Sequence, residues 1–89
     1  MKSVSETNQF LKDIKRMLKR GKDLAKMKRI INLLSQGEKL PPKYRDHPLI
    51  GPWQGARDCH IEPDWLLIYT MDLHHLNLVR TGTHSDLFE

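Results

Sequence analysis

The sequence predicts an α+β fold, with two N-terminal helices packed on a small antiparallel β-sheet. Three observations lead there. Apolar residues recur at helical spacing as far as Gly37. Beyond Ala56 the pattern changes to alternation and to runs of β-formers. Between the two lies a Pro/Gly-rich stretch with neither period. The 89 residues suit one domain with one modest core. They divide into a basic helical hairpin at 1–37, a crossing at 38–55, and strands with a chemistry-bearing tail at 56–89.

Phe10, Leu11, Ile14, Met17 and Leu18 form the apolar stripe of the first helix. Ser5 or Thr7 suits its cap, and Gly21 suits the left-handed residue that ends it. The second helix starts near Asp23, buries Leu24, Met27, Ile30, Ile31 and Leu34, and stops at Gly37. The prolines of "GEKLPPKYRDHPLIGPW" restrict the backbone and make the crossing a fixed loop. Strands are expected over Ala56–Ile61, Trp65–Thr70 and Leu76–Thr81, with Glu62-Pro63-Asp64 as a tight connection and a turn around Asp72, His74 and His75. A short stretch near Lys2–Val4 has slight strand character. Period-two alternation sends Cys59 and Ile61 toward the helices, and Asp58 and His60 to the other face.

The net charge of +4 conceals an asymmetry. Residues 1–45 hold thirteen Lys or Arg against four acids; residues 46–89 hold two Arg against seven acids, together with all five histidines. A basic helical surface of Lys12, Lys15, Arg16, Lys19, Lys26 and Arg29 attracts polyanions, of which nucleic acid is the commonest, although such faces are also often merely solvated. No apolar run is long enough to cross a bilayer, no secretory signal precedes the helices, and the lone Cys59 excludes an internal disulfide. A reducing, cytoplasmic setting is therefore expected, without a membrane partner.

Asp58, His60, Asp64, His47 and His84 are the candidates for chemistry, provided that strand pairing brings them together. Cleaving RNA without a metal needs a base for the ribose 2′-OH, an acid for the departing 5′-oxygen, and positive charge near the phosphate. Histidine fills either proton role near neutrality. Asp64 serves as a base or as the partner that orients an imidazole. Arg57 and Arg80, the only Lys or Arg of the second half, are the candidate phosphate contacts. Each residue has a duller reading: His60 as a hydrogen-bonded structural histidine, His74 and His75 as exposed turn residues, Asp58 as an arginine partner, Trp53 and Trp65 as core. A zinc site from His47, His60 and Asp64 lacks any H-E-x-x-H or paired-Cys spacing, so neither metal nor cofactor is expected.

Three segments together, "DHPLIGPW" (Asp46–Trp53), "RDCHIEPDWLLIY" (Arg57–Tyr69) and "RTGTHSDLF" (Arg80–Phe88), resemble the signature of YafQ-type toxins in the RelE superfamily of bacterial toxin–antitoxin systems. The resemblance extends over nearly the whole chain. It implies a RelE-like, microbial-ribonuclease-like fold and a metal-independent endoribonuclease that cuts messenger RNA in the ribosomal A site. By matching motif, His47, His60, Asp64 and His84 are the implied catalytic residues, with His84 as acid and His60 or Asp64 as base. Asp58, Arg57, Arg80 and Phe88 are implied as supporting residues. The implied partners are the ribosome and a DinJ/RelB-like antitoxin, with operator DNA reached only through the antitoxin complex. The competing readings are a non-catalytic gyrase inhibitor of the ParE type and a plain RNA-binding module. One tension stands: the site falls in the acidic half, where carboxylates repel phosphates.

Overall fold

Thr7 opens the first helix of the computed structural model, which describes residues 1–88. Glu89, the last residue of the expected 56–89 segment, lies outside the described residues. The Thr7 hydroxyl oxygen accepts from the Phe10 N–H at 2.9 Å and its O–H donates to the Val79 carbonyl at 2.7 Å, so one side chain caps the helix and fastens it to a strand. Helix α1 spans Asn8–Lys19 and α2 spans Leu24–Ser35, the latter capped by Asp23. Both helices end in the same way. Gly21 (φ 82°) and Gly37 (φ 76°) take left-handed backbone, and the N–H groups of Gly21 and Lys22 return to the Leu18 and Met17 carbonyls. Gly37 and Glu38 do likewise to Leu34 and Leu33.

The strands are β1 (Ser3–Glu6), β2 (His47–Pro48), β3 (Arg57–Glu62), β4 (Trp65–Met71) and β5 (His75–Gly82), followed by a short helix α3 (His84–Phe88). Their order across the sheet is β1-β5-β4-β3-β2. The expected helices on a small sheet are present, with two additions. The sheet is mixed, because β1 runs parallel to β5, and the tail after β5 is helical. The helices also rest chiefly on strands, α1 on β5 and α2 on β3 and β5, rather than on each other.

Two apolar clusters flank the sheet. On the helix side, Phe10, Met17, Met27, Ile30 and Leu34 meet Cys59, Ile61, Trp65, Leu67, Tyr69, Leu76 and Leu78. On the other side, Ala56, Leu66, Ile68 and Leu87 are buried, with Leu49, Trp53 and Val79 packed against them. Strand β4 thus contributes to both clusters, which is why its sequence is apolar at every position from Trp65 to Tyr69. Each fully buried side chain of this size contributes roughly 1.5–3 kcal/mol. Among the described residues, no helix is long and apolar enough to cross a membrane.

Candidate active site

The sheet register assembles the site. His47 pairs with Asp58, Asp58 with Ile68 and Ile68 with Arg80, a row across β2, β3, β4 and β5 on the face away from α1 and α2. The next row on that face is His60, Leu66 and Gly82, and His84 opens α3 two residues beyond Gly82. Three imidazoles from distant parts of the chain become neighbours. The His60 ring lies 6.3 Å from that of His47 and 5.6 Å from that of His84, centroid to centroid.

The hydrogen bonds define which nitrogens are available. His84 Nδ1 lies 2.6 Å from Asp64 Oδ1, and the His84 backbone N–H donates to the same oxygen at 2.9 Å. An ionised carboxylate only accepts, so Nδ1 carries the proton and Nε2 faces outward for chemistry. These bonds, the backbone one foremost, hold the Asp64 carboxyl below its usual range. His47 Nδ1 lies 2.7 Å from the Arg45 carbonyl, which also only accepts, so the same tautomer is selected there.

Asp58 lies beneath this row and is almost fully buried. Its Oδ1 is 3.4 Å from His47 Nδ1 and 4.0 Å from His60 Nε2, and it has no hydrogen-bond partner among the described residues. Burial pushes its carboxyl above the ordinary range, while His47, His60 and His84 pull in the opposite direction. The Cys59 thiol is pushed far up by burial and points into the helix-side core, so it is a packing residue.

Two expected phosphate contacts are placed differently from each other. Arg57 alternates onto the helix face, away from Asp58 and His60, and its Nε donates to Asp46 at 3.2 Å. Tyr69 donates to the same Asp46 oxygen at 2.6 Å. Arg57 therefore does not join the histidines. Arg80 shares their row by register, but its Nε (2.8 Å) and Nη2 (3.2 Å) donate to the buried Asp13 on α1. Phe88 is half exposed, with its ring 6.4 Å from that of His84 and edge-on to Trp53 at 6.3 Å. His74 and His75 sit in the exposed turn at Asp72, away from the site.

Sequence reasoning missed three features. Helix α3 is announced by Thr83-His84-Ser85-Asp86, a reciprocal cap: the Thr83 N–H donates to Asp86 Oδ2 (2.9 Å), and the Asp86 N–H to Thr83 Oγ1 (3.1 Å). Asp13 falls between Phe10 and Met17 on the buried face of α1, a lone acid in an apolar stripe. Arg45 was passed over, although it precedes a site histidine by two residues.

Pairing also relieves the expected repulsion. Glu62 accepts from Lys22 and Lys26, each at 2.7 Å, which lowers its carboxyl. Asp86 takes Arg20 at 2.6 Å and Arg16 at 3.3 Å. Helical cations thus cross to the acidic half. Of the six expected RNA-binding cations, Arg16 and Lys26 are engaged in this way, whereas Lys12, Lys15, Lys19 and Arg29 make no salt bridge among the described residues.

By comparison with known proteins, this α+β scaffold belongs to a class of bacterial toxins. A family model described as "Bacterial toxin of type II toxin-antitoxin system, YafQ" matches residues 2–89, and the chain belongs to that family. The mRNA interferase toxin YafQ of Escherichia coli is 46% identical over 88 residues, covering 98% of this chain and 96% of that protein. The crystal structure of YafQ from E. coli strain BL21(DE3) superposes with a TM-score of 0.95 at 43% identity, over 100% of both chains. YafQ in the E. coli DinJ–YafQ toxin–antitoxin complex superposes with a TM-score of 0.92 at 45% identity, covering 99% of this chain and 98% of that one.

Proposed function

We propose that this protein is the toxin of a type II toxin–antitoxin pair, an endoribonuclease that cuts messenger RNA on the ribosome without a metal ion. The observation that carries the reading is the row His47, His60, His84, with His84 oriented by Asp64 at 2.6 Å. Together with family membership, it supplies each group the reaction needs from side chains.

Strand scission begins when a base removes the 2′-OH proton. The 2′-oxygen then bonds to phosphorus, the bond to the 5′-oxygen breaks, and an acid protonates that oxygen, leaving a 2′,3′-cyclic phosphate. Base and acid must stand on opposite sides of the phosphate, so the two ends of the row suit them. His84 is the acid: the Asp64 carboxylate stabilises its imidazolium, and Nε2 delivers the proton. Because Asp64 is committed to His84, the base falls to the far imidazole, His47, whose Nε2 is freed by the Nδ1 bond to Arg45. His60, between them, is placed to donate a hydrogen bond to the phosphate as it becomes more negative. Phe88 borders His84 and stacks a base. Arg80 and Asp58 act as positioning residues. Arg57 braces the crossing through Asp46.

Lys12, Lys15 and Lys19 supply free positive charge for ribosomal RNA, and a toxin that works on the ribosome acts in the cytoplasm. The antitoxin is a DinJ-like chain, as in the E. coli complex. Primer extension on messenger from cells expressing the chain tests the reading. In-frame 5′ ends appear with the native protein and vanish in His84→Gln and His60→Ala variants. Growth arrest with DNA damage and without such ends would overturn it in favour of a gyrase poison, and equal cutting of naked RNA would remove the ribosome from the mechanism.

A further inference from the structure

Beside His60, a cavity of about 440 Å³ opens between α2, the turn at Pro42–Tyr44 and the end of β3. Lys26, Arg29, Lys43 and Arg45 converge on it, against Glu62 as the one carboxylate on its wall. Glu62 is already occupied by Lys22 and Lys26. Arg29, Lys43 and Arg45 make no salt bridge among the described residues, so the cavity carries uncompensated positive charge.

Two further observations connect this charge to the imidazole row. Arg45 is the one non-glycine among the described residues with positive φ (φ 49°, ψ 43°), a conformation that side chains resist. That backbone aims its carbonyl at His47 Nδ1, while its side chain lines the cavity. Tyr44 packs a half-buried ring against the helix-side core on the same wall, with Lys43 Nζ 5.0 Å over it, so a base stacks there by displacing the Lys43 ammonium onto its phosphate.

We propose that this cavity is a second RNA subsite, in which Arg29, Lys43 and Arg45 bind the phosphate adjacent to the scissile one and Tyr44 stacks the intervening base. The inference rests on the nuclease reading and deepens it. A strand whose scissile phosphate lies at His60 passes directly into the cavity, and an unstacked base needs the aromatic platform that an acidic peptide does not. Binding there holds the reacting nucleotide in register with the two proton-transfer groups.

The test uses the full chain and a fluorescent, fully 2′-O-methylated RNA oligonucleotide, which binds and cannot be cut. Each neutralised single-strand phosphate contributes about 0.7 to the slope of log K against log salt, so Arg29→Gln with Lys43→Gln, which strips two cations from that one phosphate, lowers the slope by about 0.7. Arg45→Gly preserves the left-handed backbone and the His47 contact while removing the cation, and lowers it by less than about 0.7. Tyr44→Leu weakens binding by about 5- to 150-fold. The charge-matched control Lys28→Gln with Lys39→Gln leaves the slope unchanged. A double cavity variant with native slope and affinity overturns the proposal, as does a native protein that does not bind the oligonucleotide. So does a cavity that loses only an acidic antitoxin peptide, which would make it a carboxylate pocket. Messenger cutting judges the nuclease reading separately. His84-dependent cuts with unchanged salt slopes sink the subsite alone; altered slopes without cuts leave the RNA subsite and sink the nuclease.

Discussion

Replacing Asp13 with alanine tests the tie between α1 and the strand that delivers the tail of the site. The Asp13 carboxylate is fully buried and accepts from Arg80 Nε, Arg80 Nη2 and the Thr81 N–H, at 2.8, 3.2 and 3.2 Å. Its loss leaves a buried N–H and a guanidinium without partners. Breaking a buried ion pair costs about 3–5 kcal/mol. The Arg80 side chain is 21% exposed, so water reclaims part of its charge and the lower figure applies. For a domain of this size each kcal/mol moves Tm by about 4–8 °C, which gives a fall of about 12–24 °C. Thermal melts followed by far-UV circular dichroism measure it, on Asp13→Ala, Arg80→Met and the double variant. The double variant should melt higher than the sum of the two losses, because removing both partners leaves no stranded charge. A Tm shift under about 4 °C for Asp13→Ala, or strict additivity, would refute the reasoning.

Asp64→Asn should retain the native melt, since the pair it breaks is exposed, while lowering messenger cutting about 100-fold or more through loss of the charged partner of His84; comparable losses in both assays would sink that division. Gly82→Ala places a Cβ 2.9 Å from Asp86 Cβ and Oδ2, so α3 must shift; a loss of about 1–3 kcal/mol in urea unfolding is expected, and an unchanged midpoint contradicts it. Burial raises the Asp58 carboxyl, so stability falls as pH rises from the ordinary carboxylate range through its folded value, and Asp58→Asn should be more stable than native at pH 7, converge with it in acid, and cut more slowly. Asp86 has the opposite sign. Arg20 depresses its carboxyl, so its contribution is present above the ordinary carboxylate range and disappears as pH falls through the depressed value; Asp86→Asn should abolish that limb of the acid-unfolding curve.

Much of the fold was legible because it depends on local rules. The helix stops at Gly21 and Gly37, the Thr7 cap and the doubly apolar β4 all follow from conformational preference and periodicity. Strand β1 was not legible in the same way: its four residues are exposed, and their pairing with β5 is a contact across the length of the chain. The site divides similarly. Alternation alone puts His60 opposite Cys59, and it equally puts Arg57 on the wrong face for the histidines, a deduction available from Asp58 being its neighbour. Which acid serves which histidine depends on register and on the bulges at His60/Glu62 and Ile68/Tyr69, which no local pattern announces. Two of the carboxylates that looked repulsive in the sequence, Glu62 and Asp86, are neutralised by cations from the other half.

The pairing of β1 with β5 sets when the molecule can mature. Residues 3–6 pair with residues 75–78, and His84 follows just past the end of the same strand. During N-to-C synthesis both long helices emerge first, with Phe10, Met17 and Ile30 lacking the strands that cover them. Loop closure across nearly the entire polypeptide precedes the final sheet, a topology that folds slowly. A nascent chain of this architecture therefore closes its sheet only after β5 has been made, and until then the apolar faces of its helices stay uncovered.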